Sequence, residues 1–273
     1  MGSAALLSFL ILTPAAALGE EGGMTAALLK EISNSRTEEI FPLLKPIPLP
    51  AGLSVHLLML FLSAGIMLSL FSYTKRNACL RPRGLLVAVE SLILFVQDDV
   101  VFPVMGEDRG KKWLPFFCTL FVFLLIVNLL GLIPAFKTAT GNINVTTALS
   151  LMILGLIFWE GFKNLGLKHF FINLYPTGTP WPVGFFVVFL EFSGLFIKTA
   201  VLSLRLFVNM FAGHLAISSF LVLIFVISPW VSAVSVSFSV FTYLLEILVG
   251  FIQAVVFTLL SCIFITLSSS GHE

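Results

Sequence analysis

The sequence predicts an all-α integral membrane protein. It has five transmembrane helices and one amphipathic helix at the membrane interface, with the last two helices long and paired as a hairpin. Two observations carry this prediction. Hydrophobic residues make up 58% of the 273 residues and charged residues only 11%, whereas average soluble chains are roughly half apolar and about a quarter charged. The apolar runs reach about 20 residues, the length of a helix that crosses a bilayer; barrel strands would be about 10 residues with alternating polarity. The formal net charge is +1, so no nucleic acid or other polyanion is an expected partner. The same composition excludes a disordered or collagen-like chain.

Residues 1–19 carry an apolar stretch from Leu6 to Leu12, then Thr13-Pro14-Ala15-Ala16-Ala17 before Glu20-Glu21. That suits a secretory signal peptide, but no Lys or Arg precedes the stretch, so an uncleaved N-terminal helix stays open as the second reading. Residues 20–50 are polar and rich in proline (Pro42, Pro46, Pro48, Pro50) and should lie outside the bilayer. The membrane domain then runs over 53–268. Its first span is 53–73, followed by the basic residues Lys75, Arg76, Arg81 and Arg83. Over 84–104, Glu90, Gln97, Asp98 and Asp99 interrupt the apolar residues and Pro103 closes the segment. This pattern predicts a helix lying at the interface rather than a span. Arg109, Lys111 and Lys112 come next, then spans over 114–134 and 144–162, the latter followed by Lys163 and Lys168. A linker over 172–182, rich in Pro, Gly and Thr, leads to two long apolar segments, 183–227 and 231–268, joined at Ser228-Pro229-Trp230.

The three basic loops must share one side, and the positive-inside rule makes that side the cytoplasm. The N-terminus is then outside and the C-terminus cytoplasmic, with five crossings. Cys79, Cys118 and Cys262 are odd in number, far apart and set in or beside apolar segments. They read as packing residues rather than a disulfide or metal framework. No cofactor is implied.

Polar residues in the last two segments carry the chemistry. A charge inside a span costs about 2.5–3.5 kcal/mol on insertion scales. Arg205 sits near the middle of 183–227, too deep to reach either interface. It could be satisfied by carbonyls or a carboxylate within the bundle, or stand as a fixed positive charge in an ion path. Arg keeps its proton wherever it is placed, so it suits an electrostatic gate and not a proton carrier. At about 100° per residue, Glu191, Lys198, Arg205 and Asn209 fall on one stripe. Ser239, Thr242, Glu246, Gly250 and Gln253 form a second stripe on the last helix. Such stripes either pack in a core or line water or a partner. In an antiparallel hairpin bent at Pro229, Arg205 is level with Gln253 and His214 with Glu246. The second level lies about 10–13 Å nearer the outside at 1.5 Å per residue. A lone His on an apolar helix is usually a packing residue, but one level with a Glu suits a proton relay. Glu191 lies towards the cytoplasmic end, where it is either an acid at a helix start or a group on an exit path. Carboxylates on either side of a central Arg, with no continuous polar file, suit two offset half-channels better than a pore.

The residues 204–214, Leu-Arg-Leu-Phe-Val-Asn-Met-Phe-Ala-Gly-His, resemble the signature helix of the a subunit of F-type ATP synthases. The residues 246–254, Glu-Ile-Leu-Val-Gly-Phe-Ile-Gln-Ala, resemble the matching motif of its last helix. Asn128-Leu-Leu-Gly-Leu-Ile-Pro134 and Thr138-Ala-Thr-Gly-Asn-Ile-Asn-Val-Thr146 are similar to that family as well. The resemblance covers 53–268 and not the N-terminal 50 residues. It implies a stator subunit of the rotary motor's membrane sector (CF(0)) that carries protons to and from a ring of c subunits, each with one essential carboxylate. The long hairpin would pack against that ring. Arg205 would face it and block a direct leak. Asn209, Gln253, His214 and Glu246 would line the outer half-channel and Glu191 the inner one, with Lys198, Ser239 and Thr242 in secondary roles. Some relatives carry Glu and His exchanged between positions 214 and 246, which keeps one acid and one imidazole. The implied partners are the c ring, b-type peripheral stalk subunits and the rest of the ATP synthase; the implied location is a bacterial plasma (inner) membrane, or else the mitochondrial inner membrane. No nucleotide-binding loop is present, so the chain itself should not make or hydrolyse ATP. The sequence leaves proton against sodium coupling and ring size open. A secondary ion transporter is the alternative, but it would call for inverted repeats and broken half-helices, and the chain has no internal repeat. A purely structural membrane subunit would not need Arg, His, Glu and Gln at matched depths.

Overall fold

A computed structural model describes residues 55–76, 84–133, 139–173, 181–226 and 229–269. The signal-peptide reading of 1–19, the external segment 20–50 and Cys79 lie outside the described residues. Every regular element described is helical. They are α1 (Val55–Arg76), α2 (Leu85–Phe95), a π-helical turn (Val96–Val101), α3 (Phe102–Gly131), α4 (Ile143–Asn173), α5 (Trp181–Val226) and α6 (Pro229–Ser269). Among the described residues, five helical stretches are long and apolar enough to cross a membrane: His56–Arg76, Leu86–Gly131, Ile143–Asn164, Phe186–Ile217 and Val236–Ser268. The chain is an integral membrane protein.

Apolar helices of this kind must satisfy their hydroxyls internally, because lipid offers no partner. The hydroxyls of Ser63, Thr74, Thr199, Thr258 and Ser261 each donate to the carbonyl four residues back, at 2.7–2.9 Å. Lys75 and Arg76 close the last turn of α1, where cations complement the helix dipole. Pro229 opens α6, a position whose N–H would have no helical partner in any case.

The segment over 84–104 is helical, but Pro103 does not end it. Before that proline the helix widens into the π turn, and the Phe102 N–H donates five residues back, to the Gln97 carbonyl. The wider turn absorbs the donor that proline lacks. The break comes at Gly106, whose φ of 73° and ψ of 167° fall outside the helical region. There only glycine is free of Cβ strain. A second glycine, Gly166 at φ 75°, breaks α4 just beyond the span.

The chain divides into two compact units. One comprises, among the described residues, 55–65, 125–142 and 207–252; its buried side chains include Met59, Val127, Leu132 and Met210. The other comprises 66–124, 143–206 and 253–269, with Phe117, Phe121, Leu124, Ile153, Ile157, Leu202, Leu206, Phe257 and Ile265 almost fully buried. In this unit Phe158 lies 6.2 Å from the Phe192 ring and 6.1 Å from that of Phe196. The Ser268 hydroxyl donates to the Ile157 carbonyl at 2.6 Å. Cys118 and Cys262 are buried and unbridged.

Candidate functional site

Helix α5 has one face packed and one face open around Arg205. Leu202, Ser203 and Leu206 are buried, while Val201, Leu204 and Val208 are about half exposed. The packed face is pinned by hydroxyls. Ser203 donates from Oγ to Thr146 Oγ1 at 3.2 Å, and Thr147 Oγ1 lies 3.2 Å from the same Ser203 Oγ. These bonds fix the rotation of α5 and turn Arg205 outward. Arg205, Lys198 and Glu191 are all exposed on this chain, and Asn209 is half-buried. Among the described residues no ion pair joins Glu191, Lys198 and Arg205 to one another or to any other group. The Lys198 ammonium instead sits 5.8 Å from the centre of the Phe264 ring, within cation–π range.

Helix α6 presents the opposite case. Glu246 and Gln253 are buried, 7% and 6% exposed. Among the described residues, both carboxylate oxygens of Glu246, the Gln253 amide nitrogen and the Ser239 hydroxyl have no hydrogen-bond partner. Most buried polar groups in folded proteins are paired, so this run of unpaired groups calls for water or a partner. The Thr242 hydroxyl is satisfied by the Phe238 carbonyl at 2.9 Å. One turn beyond Glu246, Asn128 of α3 donates from Nδ2 to the Gly250 carbonyl at 3.0 Å, and its Oδ1 has no partner among the described residues.

Gly213 is the close approach between the long helices at this level. A Cβ at 213 would lie 2.6 Å from Glu246 Cδ and 3.1 Å from Cγ, and would collide with Oε1. The carboxyl group therefore rests directly on the α5 backbone beside position 214. The side chain of His214 itself is outside the described residues. Among the described residues, no group of three or more His, Cys, Asp and Glu gathers as a metal site.

The structure thus separates the predicted residues into two kinds. Glu191, Lys198 and Arg205 project from the chain, whereas Glu246 and Gln253 are enclosed, with Asn209, Ser239 and Thr242 between these extremes. Sequence reading passed over Gly213, Ser203 and the roles of Asn128, Thr146 and Thr147. Ser203 has a signal in hindsight, since with Thr199 it makes an i, i+4 hydroxyl pair on an apolar helix. Gly213 has none, because its role depends on which side chain lies opposite.

A family profile described as ATP synthase A chain matches residues 57–266. An ATP synthase subunit a from Chlorobium phaeobacteroides (strain BS1) is 39% identical over 272 residues, covering 93% of this chain and 79% of that protein. The ATP synthase subunit a of Pelodictyon phaeoclathratiforme is 41% identical over 244 residues, covering 84% of this chain and 71% of that one. That of Chloroherpeton thalassium is 40% identical over 229 residues, covering 81% and 68%. The profile overlaps all five candidate spans and takes in the outward Arg205 and the enclosed Glu246 and Gln253 together, and on that extent of match the chain belongs to the ATP synthase A chain family.

Proposed function

We propose that this chain is the proton-translocating stator subunit of a rotary ATP synthase, with two offset half-channels that load and unload the carboxylates of a c-subunit ring. One observation carries the reading. A guanidinium stands outward in the middle of a long apolar helix, among half-exposed Val201, Leu204 and Val208. Lipid is a costly neighbour for that charge, and a carboxylate arriving from another subunit is the natural one.

A c-ring carboxyl group facing lipid must carry its proton, because a bare charge there is costly. Opposite Arg205 it can ionise, since a nearby opposite charge favours the charged form. Arg205 keeps its own proton, so it holds the two half-channels apart without passing protons between them. Glu246 and His214 form the relay that loads the ring from outside. The two Glu246 carboxylate oxygens, without a partner among the described residues, supply acceptors for the incoming proton, and Asn209, Gln253, Ser239 and Thr242 hold water along the path. Glu191 receives the departing proton on the cytoplasmic side, with Lys198 between it and Arg205. A membrane potential of 100 mV supplies about 2.3 kcal/mol for each charge moved, and the two offset paths turn that into rotation. The segment over 84–104 lies at the interface, b-type stalk subunits brace the chain, and the membrane is a bacterial plasma membrane with the C-terminus in the cytoplasm. The family match favours this reading over a secondary ion transporter.

Cross-linking tests the face. In a chain with Cys79, Cys118 and Cys262 replaced, Val201→Cys and Val208→Cys are expected to form disulfides with cysteines in the outer helix of the c subunit. Leu202→Cys and Leu206→Cys are not. Equal cross-linking of both pairs, or none from the exposed pair, would remove the proposed contact.

A further inference from the structure

A half-open cavity of about 580 Å³ lies between the first turns of α3 beyond Gly106 and the end of the α4 span. Its wall carries Arg109, Lys112 and Lys163 at one end and Trp113, Phe116, Leu156 and Trp159 along its depth, with Glu160 and Asn164 on the α4 side. All belong to one compact unit. None of these residues takes part in the proton path above.

The charges do not cancel within the cavity. The Glu160 carboxylate accepts a hydrogen bond from Asn164 Nδ2 at 3.0 Å. Lys111, outside the cavity, is the lysine that pairs with an acid, reaching Glu107 at 3.1 Å. Among the described residues Lys112 and Lys163 have no ion-pair partner, and both are exposed. Lys112 and Lys163 against the single carboxylate of Glu160 leave the wall with an excess of positive charge. The aromatic residues set the depth. The Trp159 ring is 67% exposed, while Trp113 is held by Phe116 and Phe117 at 5.7 and 6.0 Å. Trp residues next to Lys and Arg at the end of an apolar span mark the level of lipid headgroups. A basic cavity between membrane helices at that level fits a phosphate group above and acyl chains below.

We propose that this cavity binds an anionic phospholipid, its phosphate held by Lys112, Lys163 and Arg109 and its glycerol and upper acyl chains against Trp113, Phe116, Leu156 and Trp159. A soluble anion would have no use for the aromatic wall, and an acidic protein segment would not need a wall that continues to apolar residues below the charges.

The test uses the intact ATP synthase, purified in detergent, delipidated and then supplied with phosphatidylglycerol, phosphatidylcholine or inorganic phosphate. Bound lipid is counted by native mass spectrometry of the released chain. The wild type is expected to retain phosphatidylglycerol in preference to phosphatidylcholine. Each neutralised cation should weaken retention about five-fold, so the Lys112→Gln, Lys163→Gln double variant should fall by about 25-fold, with assembly and ATP-driven pumping preserved. Trp159→Ala should weaken retention of the lipid without changing any response to inorganic phosphate. Equal retention by wild type and double variant would overturn the proposal. So would protection from thermal unfolding by inorganic phosphate to the same extent as by phosphatidylglycerol, or the same cavity residues cross-linking to a stalk subunit in the intact complex. None of these outcomes depends on the path proposed for protons.

Discussion

Gly213→Ala is the perturbation whose effect the structure defines most closely. The added Cβ would sit 2.6 Å from Glu246 Cδ, where carbon atoms in contact keep about 3.5–4.0 Å. The carboxyl group must retreat by about 1 Å. It can do so by leaving its rotamer, at a cost of about 0.5–1.5 kcal/mol. In the helix, Ala replaces Gly with a gain of about 1 kcal/mol. The two nearly offset each other, so the chain should assemble with close to normal stability. The position of the carboxylate oxygens proposed to accept protons changes all the same, and a misplacement of about 1 Å at a reacting group can cost up to about 100-fold. The assay is passive proton flux through the membrane sector after the soluble head is stripped, set beside thermal stability of the whole complex. Flux is expected to fall at least ten-fold with stability unchanged. Glu246→Asp added to Gly213→Ala withdraws the carboxyl group by one methylene and should recover part of the loss. Normal flux in Gly213→Ala would refute the reasoning, and so would a loss that Glu246→Asp does not relieve.

Other substitutions separate the remaining roles. Ser203→Ala removes the hydroxyl that bridges Thr146 and Thr147 and should cost about 0.5–1.5 kcal/mol of stability, read as a lower unfolding temperature without proton leak. Exchanging His214 and Glu246 should restore more proton uptake than the two single exchanges suggest; a double-mutant cycle with no coupling would separate the two residues. Glu191→Gln should slow turnover if the group takes up departing protons; proton flux overlaying wild type would leave it a surface acid of the helix. Arg205→Lys should fail or nearly fail in coupled synthesis, because an ammonium can lose its proton in a dry site and a guanidinium cannot.

Much of the fold was legible because the bilayer imposes length on apolar runs. The long segments ending the chain stand out at once, and each is a single helix, Trp181–Val226 and Pro229–Ser269. Breaks were harder to place. Pro103 reads as a stop, yet a π turn accommodates it and Gly106 carries the break. Nothing local in the sequence says that the turn before a proline will widen. The charged residues were legible for the opposite reason: Arg205 and Glu246 are so costly in an apolar helix that their presence is itself the signal. What the sequence does not encode locally is their opposite exposure. That depends on the packed face set by Leu202, Ser203 and Leu206 for Arg205, and on the missing side chain at Gly213 for Glu246. Both are long-range facts, available only once the helices have been brought together.

The central claim is that Arg205 meets the ring carboxylate and holds the two half-channels apart. ATP synthesis driven by a proton gradient, measured in vesicles carrying the complete enzyme with Arg205→Ala, tests it most directly when passive proton leak is recorded in the same vesicles. Synthesis is expected to vanish, ATP-driven pumping to vanish with it, and assembly to persist, while passive proton leak through the membrane sector rises. Coupled synthesis at the wild-type rate, with no added leak, would contradict the account.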